Sequence, residues 1–258
     1  LVSCSLELGG KNPLVIMPSA NLENAVEGAY WAGFGTAGQR CTSLGNLIIH
    51  KDIYDDFVAR LMDKVHSTQI GDSLEYDDVL YGSMLSQKYA DDFLQVIQIC
   101  EQDGATKLYG EGRITSENKP SGFKGIPEDG VFMWPHVFTE VTEDMACFHE
   151  EVFGPILSVI PFDTEEDAIR IGNDIVFGLA AGVWTSDLGR AFRMSEKLKA
   201  GTVWVNTYRA VSFMTPFGGY KRSGQGRESG QESIKEFMQV KSVWIAQQTT
   251  SSNPFIMQ

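Results

Sequence analysis

Residues 13–50 of the chain read PLVIMPSANLENAVEGAYWAGFGTAGQRCTSLGNLIIH, and they decide the kind of fold. The stretch opens with a short apolar run, residues 13–17, which is bounded by prolines and predicts a buried strand. Asn21 is a good N-cap for a helix whose apolar positions recur at helical spacing. The glycines of residues 35–38 should end that helix. The apolar run at residues 46–50 predicts the next strand.

The same alternation of strands and helices continues along the chain. Further strands are predicted at residues 155–160, 180–184, 202–206 and 240–245. Asp52 is expected to cap one further helix and Thr164 to form a capping box at the start of another, and helices are also expected to begin near Ser86 and Ser186. Strands that alternate with helices of about 10 to 15 residues predict an α/β domain with a largely parallel sheet flanked by helices. Such sheets usually place their sites at the carboxyl ends of the strands, which would suit the loop after Asn206.

The composition is that of an ordinary globular protein with an acidic balance. The 258 residues are 43% hydrophobic and 21% charged, with a formal net charge of −13. An acidic chain argues against binding to nucleic acid or to an anionic membrane surface. No apolar run approaches the roughly 20 residues that a membrane helix needs. The four cysteines are scattered without metal-ligand spacing, so a reducing, cytoplasmic location is expected.

Two residues suggest chemistry. A lone cysteine is more often structural than reactive, and three of the four are interpreted in that way. Cys41 differs because it follows a helix end and flexible glycines, has Arg40 beside it, and has small neighbours that leave backbone N–H groups free to face an oxyanion. The second residue is Glu7, in the stretch LELGGK of residues 6–11. A thiolate can attack a carbonyl carbon and a carboxylate can activate water, so we interpret the two stretches as halves of one active site.

Five short motifs follow one another along the chain. They are LELGGK at residues 6–11, GQRC at 38–41, EEVFGP at 150–155, PFGGYKRSG at 216–224 and GRE at 226–228. Each motif alone is weak, but the five in this order resemble the aldehyde dehydrogenase superfamily, and together they span most of the chain. The similarity is to the carboxyl-terminal half of such an enzyme, which implies the α/β catalytic domain of that family.

The resemblance implies a role for several residues in the oxidation of an aldehyde with NAD or NADP. Cys41 would be the nucleophile, which forms a thiohemiacetal and then a thioester, and Glu7 would activate the water that hydrolyses the thioester. Glu151 would bind the hydroxyls of the nicotinamide ribose, since a carboxylate accepts two hydrogen bonds from a diol. Phe153 would pack beside the nicotinamide, and the backbone at Leu8-Gly9 would lie close to the cofactor.

Several of these residues also have a structural interpretation. Glu7 beside two glycines fits a strand-end turn with a solvated carboxylate. Glu150 and Glu151 together fit an exposed acidic pair. Glu228 matches a second acidic residue of the family, which the resemblance associates with proton exit, but it equally fits a helix cap.

The resemblance assigns the wall of the substrate tunnel to residues 208–213. Arg209, Val211 and Phe217 are therefore predicted to lie along the path of the small-molecule aldehyde. Arg209 fits two descriptions. It would contact a carboxylate at the far end of a semialdehyde, or it would be an ordinary surface arginine, which is the commoner case.

The resemblance covers one half of a family member. Residues 1–238 are predicted to form the catalytic domain, and residues 1–10 would be the end of a nucleotide-binding domain that precedes Leu1. Residues 239–258 are predicted to hold an oligomerisation strand, so a homodimer or homotetramer is expected for the full-length protein. The sequence has no glycine-rich turn between a strand and a helix that would bind phosphate. The chain alone is therefore expected to be inactive.

Three other functions remain open. An acyl-transferring relative that passes the thioester to coenzyme A would tend to lack a water-activating base, and Glu7 argues against it. A cysteine hydrolase would need a histidine as base, and the four histidines lie in no recognisable partner motif. A non-catalytic structural or binding module of the same fold is the third, and the presence of Cys41, Glu7 and Glu151 argues against it.

Overall fold

The computed structural model describes residues 4–245 and residue 247. The strands in chain order are β1 Leu6–Glu7, β2 Asn12–Ile16, β3 Leu44–His50, β4 Ile70–Gly71, β5 Thr106–Tyr109, β6 Phe123–Lys124, β7 His136–Thr139, β8 Ile156–Phe162, β9 Phe177–Gly178, β10 Ala180–Trp184, β11 Thr202–Val205, β12 Tyr220–Lys221 and β13 Gly224–Gln225. The helices are α1 Leu22–Phe34, α2 Tyr54–His66, α3 Gln87–Gln102, α4 Ala146–His149, α5 Glu165–Asn173 and α6 Leu188–Lys197. None of these helices is long and apolar enough to cross a bilayer.

Seven strands form one central sheet in the spatial order β11-β10-β2-β3-β8-β7-β5. Each neighbouring pair from β11 to β7 is parallel, and the edge strand β5 is antiparallel to β7. The predicted α/β fold with a largely parallel sheet is confirmed.

The central strands are buried on both faces because helices cover both faces. On one face α1 lies so close that a Cβ at its Gly33 would meet the side chain of Leu157 at 2.5 Å. On the other face Gly172 of α5 lies against Pro13. The alternation of side chains along a strand separates these two faces, and strand β2 is accordingly buried at every position.

Most predicted elements are present, with small shifts at their ends. Asn21 caps α1 through its side chain, and Thr164 forms the predicted capping box at the start of α5. The prediction that Asp52 caps α2 is wrong. The N–H of Asp52 donates to Nδ1 of His50 at 3.2 Å within a 3-10 turn, and α2 begins only at Tyr54.

The strand predicted at residues 240–245 is not formed in this chain. These residues bond to no strand in the described part, and the side chains of Val240 and Trp244 are fully or almost fully exposed. A strand needs a neighbour for its backbone hydrogen bonds, and none of the chain's own described strands supplies one. The predicted role of this segment between subunits stays a prediction. Residues 1–3, 246 and 248–258 lie outside the described residues.

The loops at the amino-terminal edge of the sheet carry the residues that the sequence singled out. Cys41 lies three positions before β3, and Glu151 lies five positions before β8. Glu7 precedes β2. The loop after Asn206 follows the carboxyl end of β11, as the sequence analysis expects, whereas these residues lie at the opposite edge. The reason is topological, because α1 runs back from the end of β2 and delivers Cys41 to the edge where the parallel strand β3 begins.

Candidate active site

Cys41 follows a left-handed turn that ends α1. Thr36, Ala37 and Gly38 have φ values of +60°, +54° and +66°. A Cβ at Gly38 would overlap the carbonyl of Gly154, so only glycine fits there. Non-glycine residues with positive φ are strained, and such strain is concentrated at functional sites. The turn holds Cys41 on a fixed loop rather than on a regular element.

The side chain of Asn12 holds this loop in place through hydrogen bonds to its backbone. Its Nδ2 donates to the carbonyl oxygens of Cys41 and Ser43 at 2.8 and 2.7 Å, and its Oδ1 accepts from the N–H of Ala180 at 3.0 Å. The side chain is buried, the bond to Ala180 lies away from water, and the bonds to Cys41 and Ser43 are partly buried. Sequence reasoning missed Asn12. The available signal was an amide side chain directly before the apolar run of β2.

Replacement of Asn12 by alanine is expected to lower the free energy of unfolding by about 2–3 kcal/mol, because it leaves one buried N–H and two partly buried carbonyls without a partner. Urea unfolding of the complete protein measures this change. Asn24→Ala on the exposed side of α1 is the matched control, and we expect it to change stability by less than about 0.5 kcal/mol. Equal stability of the two variants would show that Asn12 does not hold the loop.

Glu7 is positioned by a short antiparallel pair of strands. In the pairing of β1 with β13, Glu7 lies opposite Gly224, and the N–H of Leu8 donates to the carbonyl of Ser223 at 2.9 Å. A Cβ at Gly224 would overlap the carbonyl of Leu6, so this close pairing requires glycine. Ser223 is fully buried and was not identified from the sequence. The glycine-rich segment of residues 216–224 thus sets the position of Glu7.

The environment of Glu7 disfavours its negative charge. Burial is the main cause that raises the pKa of Glu7, the negative charge of Glu228 adds to it, and Arg227 opposes it. Oε1 of Glu7 is buried and accepts no hydrogen bond from any described residue. A carboxylate with a raised pKa and an unused oxygen is suited to take a proton from water.

The thiol of Cys41 responds to the same carboxylates. Burial raises the pKa of Cys41 most, and the negative charges of Glu7 and Glu151 raise it further. The backbone N–H groups of Thr42 and of Cys41 itself favour the ionised sulfur and oppose this rise. The structure therefore brings together the predicted nucleophile and both predicted carboxylates, although their sequence positions differ by up to 144.

Glu151 packs against the two glycines that follow Glu7. The N–H of Gly10 donates to Oε1 of Glu151 at 3.0 Å, and a Cβ at Gly9 would overlap Oε2. Burial raises the pKa of Glu151, while this N–H and the nearby Lys11 oppose the rise. Lys11 is itself buried, which lowers its pKa to about 8. Glu151 is therefore not the exposed acidic residue of the structural interpretation.

Phe153 adopts an unusual backbone conformation near this carboxylate. Its φ is +51°, which is rare for a bulky residue, and the following Gly154 is packed so closely on the ring of Phe93 that a Cβ would overlap it. The side chain of Phe153 is half-buried. Its predicted contact with a nicotinamide stays a prediction.

Arg209 is not an ordinary surface arginine. Its Nη2 donates to the carbonyl of Ala32 at 2.9 Å and to Oγ of Ser43 at 3.0 Å. The guanidinium carbon lies 4.7 Å from the ring centroid of Trp31, and the backbone φ is +58°. The side chain is half-buried beside the Cys41 loop.

Val211 and Phe217 lie elsewhere. Both line a cavity of about 550 Å³ together with Trp204, Phe213 and other residues, and neither Cys41 nor Glu7 contributes to its wall. Val211 is exposed and Phe217 is half-buried. The structure does not bring these two residues to the Cys41 loop, and their contact with substrate stays a prediction.

No histidine among residues 4–245 is hydrogen-bonded to Cys41. His136 is buried, and its Nδ1 is hydrogen-bonded to the carbonyl of Trp134 at 2.8 Å. Burial lowers the pKa of His136 to about 4. The described residues also include no cluster of side chains that would hold a metal ion. The arrangement offers a thiol with a carboxylate as base, which is not the cysteine–histidine pair of a hydrolase.

Comparison with known proteins gives a consistent result. Residues 1–243 match the model of the aldehyde dehydrogenase family. The chain is 40% identical to 4-trimethylaminobutyraldehyde dehydrogenase of Oryzias latipes, over 93% of this chain and 46% of that protein. It is 38% identical to betaine aldehyde dehydrogenase of Brucella anthropi, over 93% of this chain and 48% of that protein. The chain thus spans about half the length of the curated relatives that it matches.

Solved structures agree in fold. Betaine aldehyde dehydrogenase of Staphylococcus aureus in complex with NAD+ superposes with a TM-score of 0.85 at 36% identity, over 90% of this chain and 44% of that one. Lactaldehyde dehydrogenase of Escherichia coli gives a TM-score of 0.85 at 30% identity, over 93% and 48% of the two chains.

Proposed function

This chain belongs to the aldehyde dehydrogenase family, and on that premise we propose that the whole protein oxidises an aldehyde to a carboxylic acid with NAD or NADP. The observation that carries the proposal is the meeting of Cys41 with Glu7 and Glu151, whose negative charges both raise the pKa of the thiol. One thiol beside two carboxylates provides a nucleophile, a base for water and a ligand for a diol. These are the three functions that the reaction needs.

Cys41 begins the reaction. Its thiol loses its proton to solvent, the thiolate adds to the carbonyl carbon, and the electron pair of the carbonyl π bond moves to the oxygen, which carries the negative charge of a tetrahedral thiohemiacetal. The backbone N–H groups of Cys41 and Thr42 act to lower the pKa of the thiol, so they favour negative charge at this place. Asn12 keeps the backbone of the loop in place while the charge develops.

The residues around Glu151 fit a nicotinamide cofactor. One carboxylate oxygen is held by the N–H of Gly10, and the absence of a Cβ at Gly9 makes the space that the other oxygen occupies. Glu151 would hold the nicotinamide ribose, with Phe153 beside the ring and the backbone of Leu8 and Gly9 close by. What the cofactor supplies when bound is the acceptor for the hydride that the thiohemiacetal loses. A structural relative is in complex with NAD+, which supports NAD, and NADP stays in the proposal.

Glu7 completes the reaction. Its buried Oε1 has no hydrogen-bond donor among the described residues, so it is free to accept a proton from water. The resulting hydroxide attacks the carbonyl carbon of the thioester, the carbon–sulfur bond breaks, and the acid leaves with the thiolate restored. Because Glu7 supplies this base, hydrolysis is favoured over transfer to coenzyme A.

The proposal includes a soluble, cytoplasmic homodimer or homotetramer. Exposed apolar side chains of residues 240–245 support a subunit contact, as the sequence analysis predicts. Four unpaired cysteines support a reducing compartment.

The test is to assay the complete protein with a panel of aldehydes and with both NAD+ and NADP+. We expect turnover by the complete protein and none by the 258-residue chain alone, because its sequence has no glycine-rich turn between a strand and a helix that would bind the phosphates of the cofactor. Failure of the complete protein to oxidise any aldehyde would contradict the proposed function. Turnover by the chain alone would contradict the expectation that these 258 residues are inactive by themselves.

A further inference from the structure

Arg209 carries a positive charge that no carboxylate of residues 4–245 neutralises. Its Nη2 bonds to the carbonyl of Ala32 and the hydroxyl of Ser43, which are both uncharged. Its Nε and Nη1 are buried and have no acceptor among the described residues. Burial lowers the pKa of Arg209 to about 10, so the group is still protonated at neutral pH. Half-buried arginines are usually paired, and this one is not.

The charge lies beside the nucleophile. Ser43, which bonds to Arg209, is two positions after Cys41, and negative charge on Cys41 raises the pKa of Arg209. The ring of Trp31 lies 4.7 Å from the guanidinium carbon of Arg209 and 5.9 Å from that of Arg40. An aromatic face is what attracts a quaternary ammonium group in proteins. In this chain the guanidinium groups of Arg209 and Arg40 already lie over the ring of Trp31.

We propose that Arg209 makes this site discriminate between aldehydes by charge, disfavouring those that carry a quaternary ammonium group and favouring uncharged or anionic ones. The inference rests on the proposed function and on the position of Arg209 beside the Cys41 loop, where it contacts Ser43 and Trp31. It separates this chain from the two curated relatives, because both of their named substrates are quaternary ammonium aldehydes. The name of the structural relative from Escherichia coli refers to an uncharged aldehyde.

Arg209 acts through its electric field rather than through a direct bond, because its free N–H groups are buried. The negative charges of Glu7 and Glu151 also act on Cys41 and have the opposite effect, whereas Arg209 and Arg40 lie against the ring of Trp31. By Coulomb's law, one unit charge changes the preference for a charged substrate roughly 10-fold at a separation of about 10 Å and an effective dielectric constant of about 20.

Two aldehydes of the same shape provide the kinetic test. Betaine aldehyde and 3,3-dimethylbutanal differ in that a quaternary nitrogen replaces a quaternary carbon. We expect the complete protein to prefer the uncharged aldehyde in kcat/KM, Arg209→Gln to reduce this preference roughly 10-fold, and Arg209→Lys to retain most of it. Arg113→Gln is the matched control, since Arg113 also bonds to uncharged partners but follows the opposite edge strand, β5.

A second measurement does not depend on aldehyde turnover. Cationic trimethylammonium-ethyl and anionic sulfonatoethyl methanethiosulfonate are allowed to react with Cys41, and the modified peptide is quantified by mass spectrometry. Arg209→Gln is expected to shift the rate ratio of these reagents roughly 10-fold towards the cationic one, and salt should shrink the difference between the variants.

The outcomes separate the two proposals. If the complete protein oxidises 3,3-dimethylbutanal but Arg209→Gln leaves both ratios unchanged, the charge inference is overturned and the proposed function stands. A preference of the unaltered protein for betaine aldehyde overturns the inference as well. If no aldehyde is oxidised but the reagent ratio shifts with Arg209, the proposed function fails while the field of Arg209 is supported.

Discussion

Replacement of Cys41 by alanine in the complete protein is expected to reduce aldehyde oxidation at least about 10³-fold, because no other group can form the covalent intermediate. Cys100 and Cys147 are fully buried in the core. They therefore cannot substitute for Cys41 at the amino-terminal edge of the sheet. Cys41→Ser is expected to lose nearly as much, since a hydroxyl without a strong adjacent base is a poor nucleophile.

The measurement is kcat/KM for the best aldehyde of the panel, with Cys4→Ser as the control. Cys4 is exposed and is not one of the three residues that form the candidate site, Cys41, Glu7 and Glu151. Its replacement should therefore leave kcat/KM within about twofold of the value for the unaltered protein. Circular dichroism and cofactor binding should be unchanged in Cys41→Ala, because a half-buried thiol is a small part of the loop. If Cys41→Ala retains a tenth or more of the activity, Cys41 is not the nucleophile.

The local structure around Cys41 follows from patterns within a few residues. Asn21 marks the start of α1, the glycines of residues 35–38 mark its end, and the apolar run after Cys41 marks β3. The order of these elements also indicates at which edge of the sheet Cys41 lies. A residue just before a parallel strand lies at the amino-terminal edge, whatever the usual location of sites in such sheets.

The residues that hold the site in place could not be predicted from local sequence patterns. Asn12 bonds to backbone groups 29, 31 and 168 positions away, and Ser223 joins Gly178 and Leu8 in the same manner. Their hydrogen bonds depend on the tertiary structure, so no local sequence pattern predicts them. Arg209 is a similar case. An arginine in a loop is usually solvated, and its burial here depends on Trp31 and Ser43, which come from distant segments.

Glu7→Gln is expected to separate the two halves of the reaction. Steady-state turnover should fall about 10²- to 10⁴-fold, the usual contribution of a general base, because the amide cannot take a proton from water. The first half of the reaction needs Cys41 and the cofactor but not this base. One equivalent of reduced cofactor per site should therefore still form in a rapid burst, after which the thioester accumulates. Stopped-flow absorbance and intact-protein mass spectrometry measure the two events.

The thiol provides an internal control for the same variant. Because the negative charge of Glu7 raises the pKa of Cys41, removal of that charge should lower the pKa. A thiol with a lower pKa is more ionised at neutral pH, so alkylation of Cys41 by iodoacetamide should become faster in Glu7→Gln. A misfolded site would not combine faster alkylation with a retained burst.

Folding stability should not explain the loss of turnover. The folded-state pKa of Glu7 is raised, so the stability that its protonated form contributes is present at acid pH and is lost as the pH rises through the folded pKa. At neutral pH the ionised carboxylate is disfavoured by its surroundings, and the neutral amide removes that disadvantage.

Normal turnover in Glu7→Gln would show that Glu7 is a solvated residue of a strand-end turn. Loss of the burst together with turnover would show that Glu7 acts before the thioester forms. A retained burst with stalled hydrolysis is the result that only a water-activating base predicts.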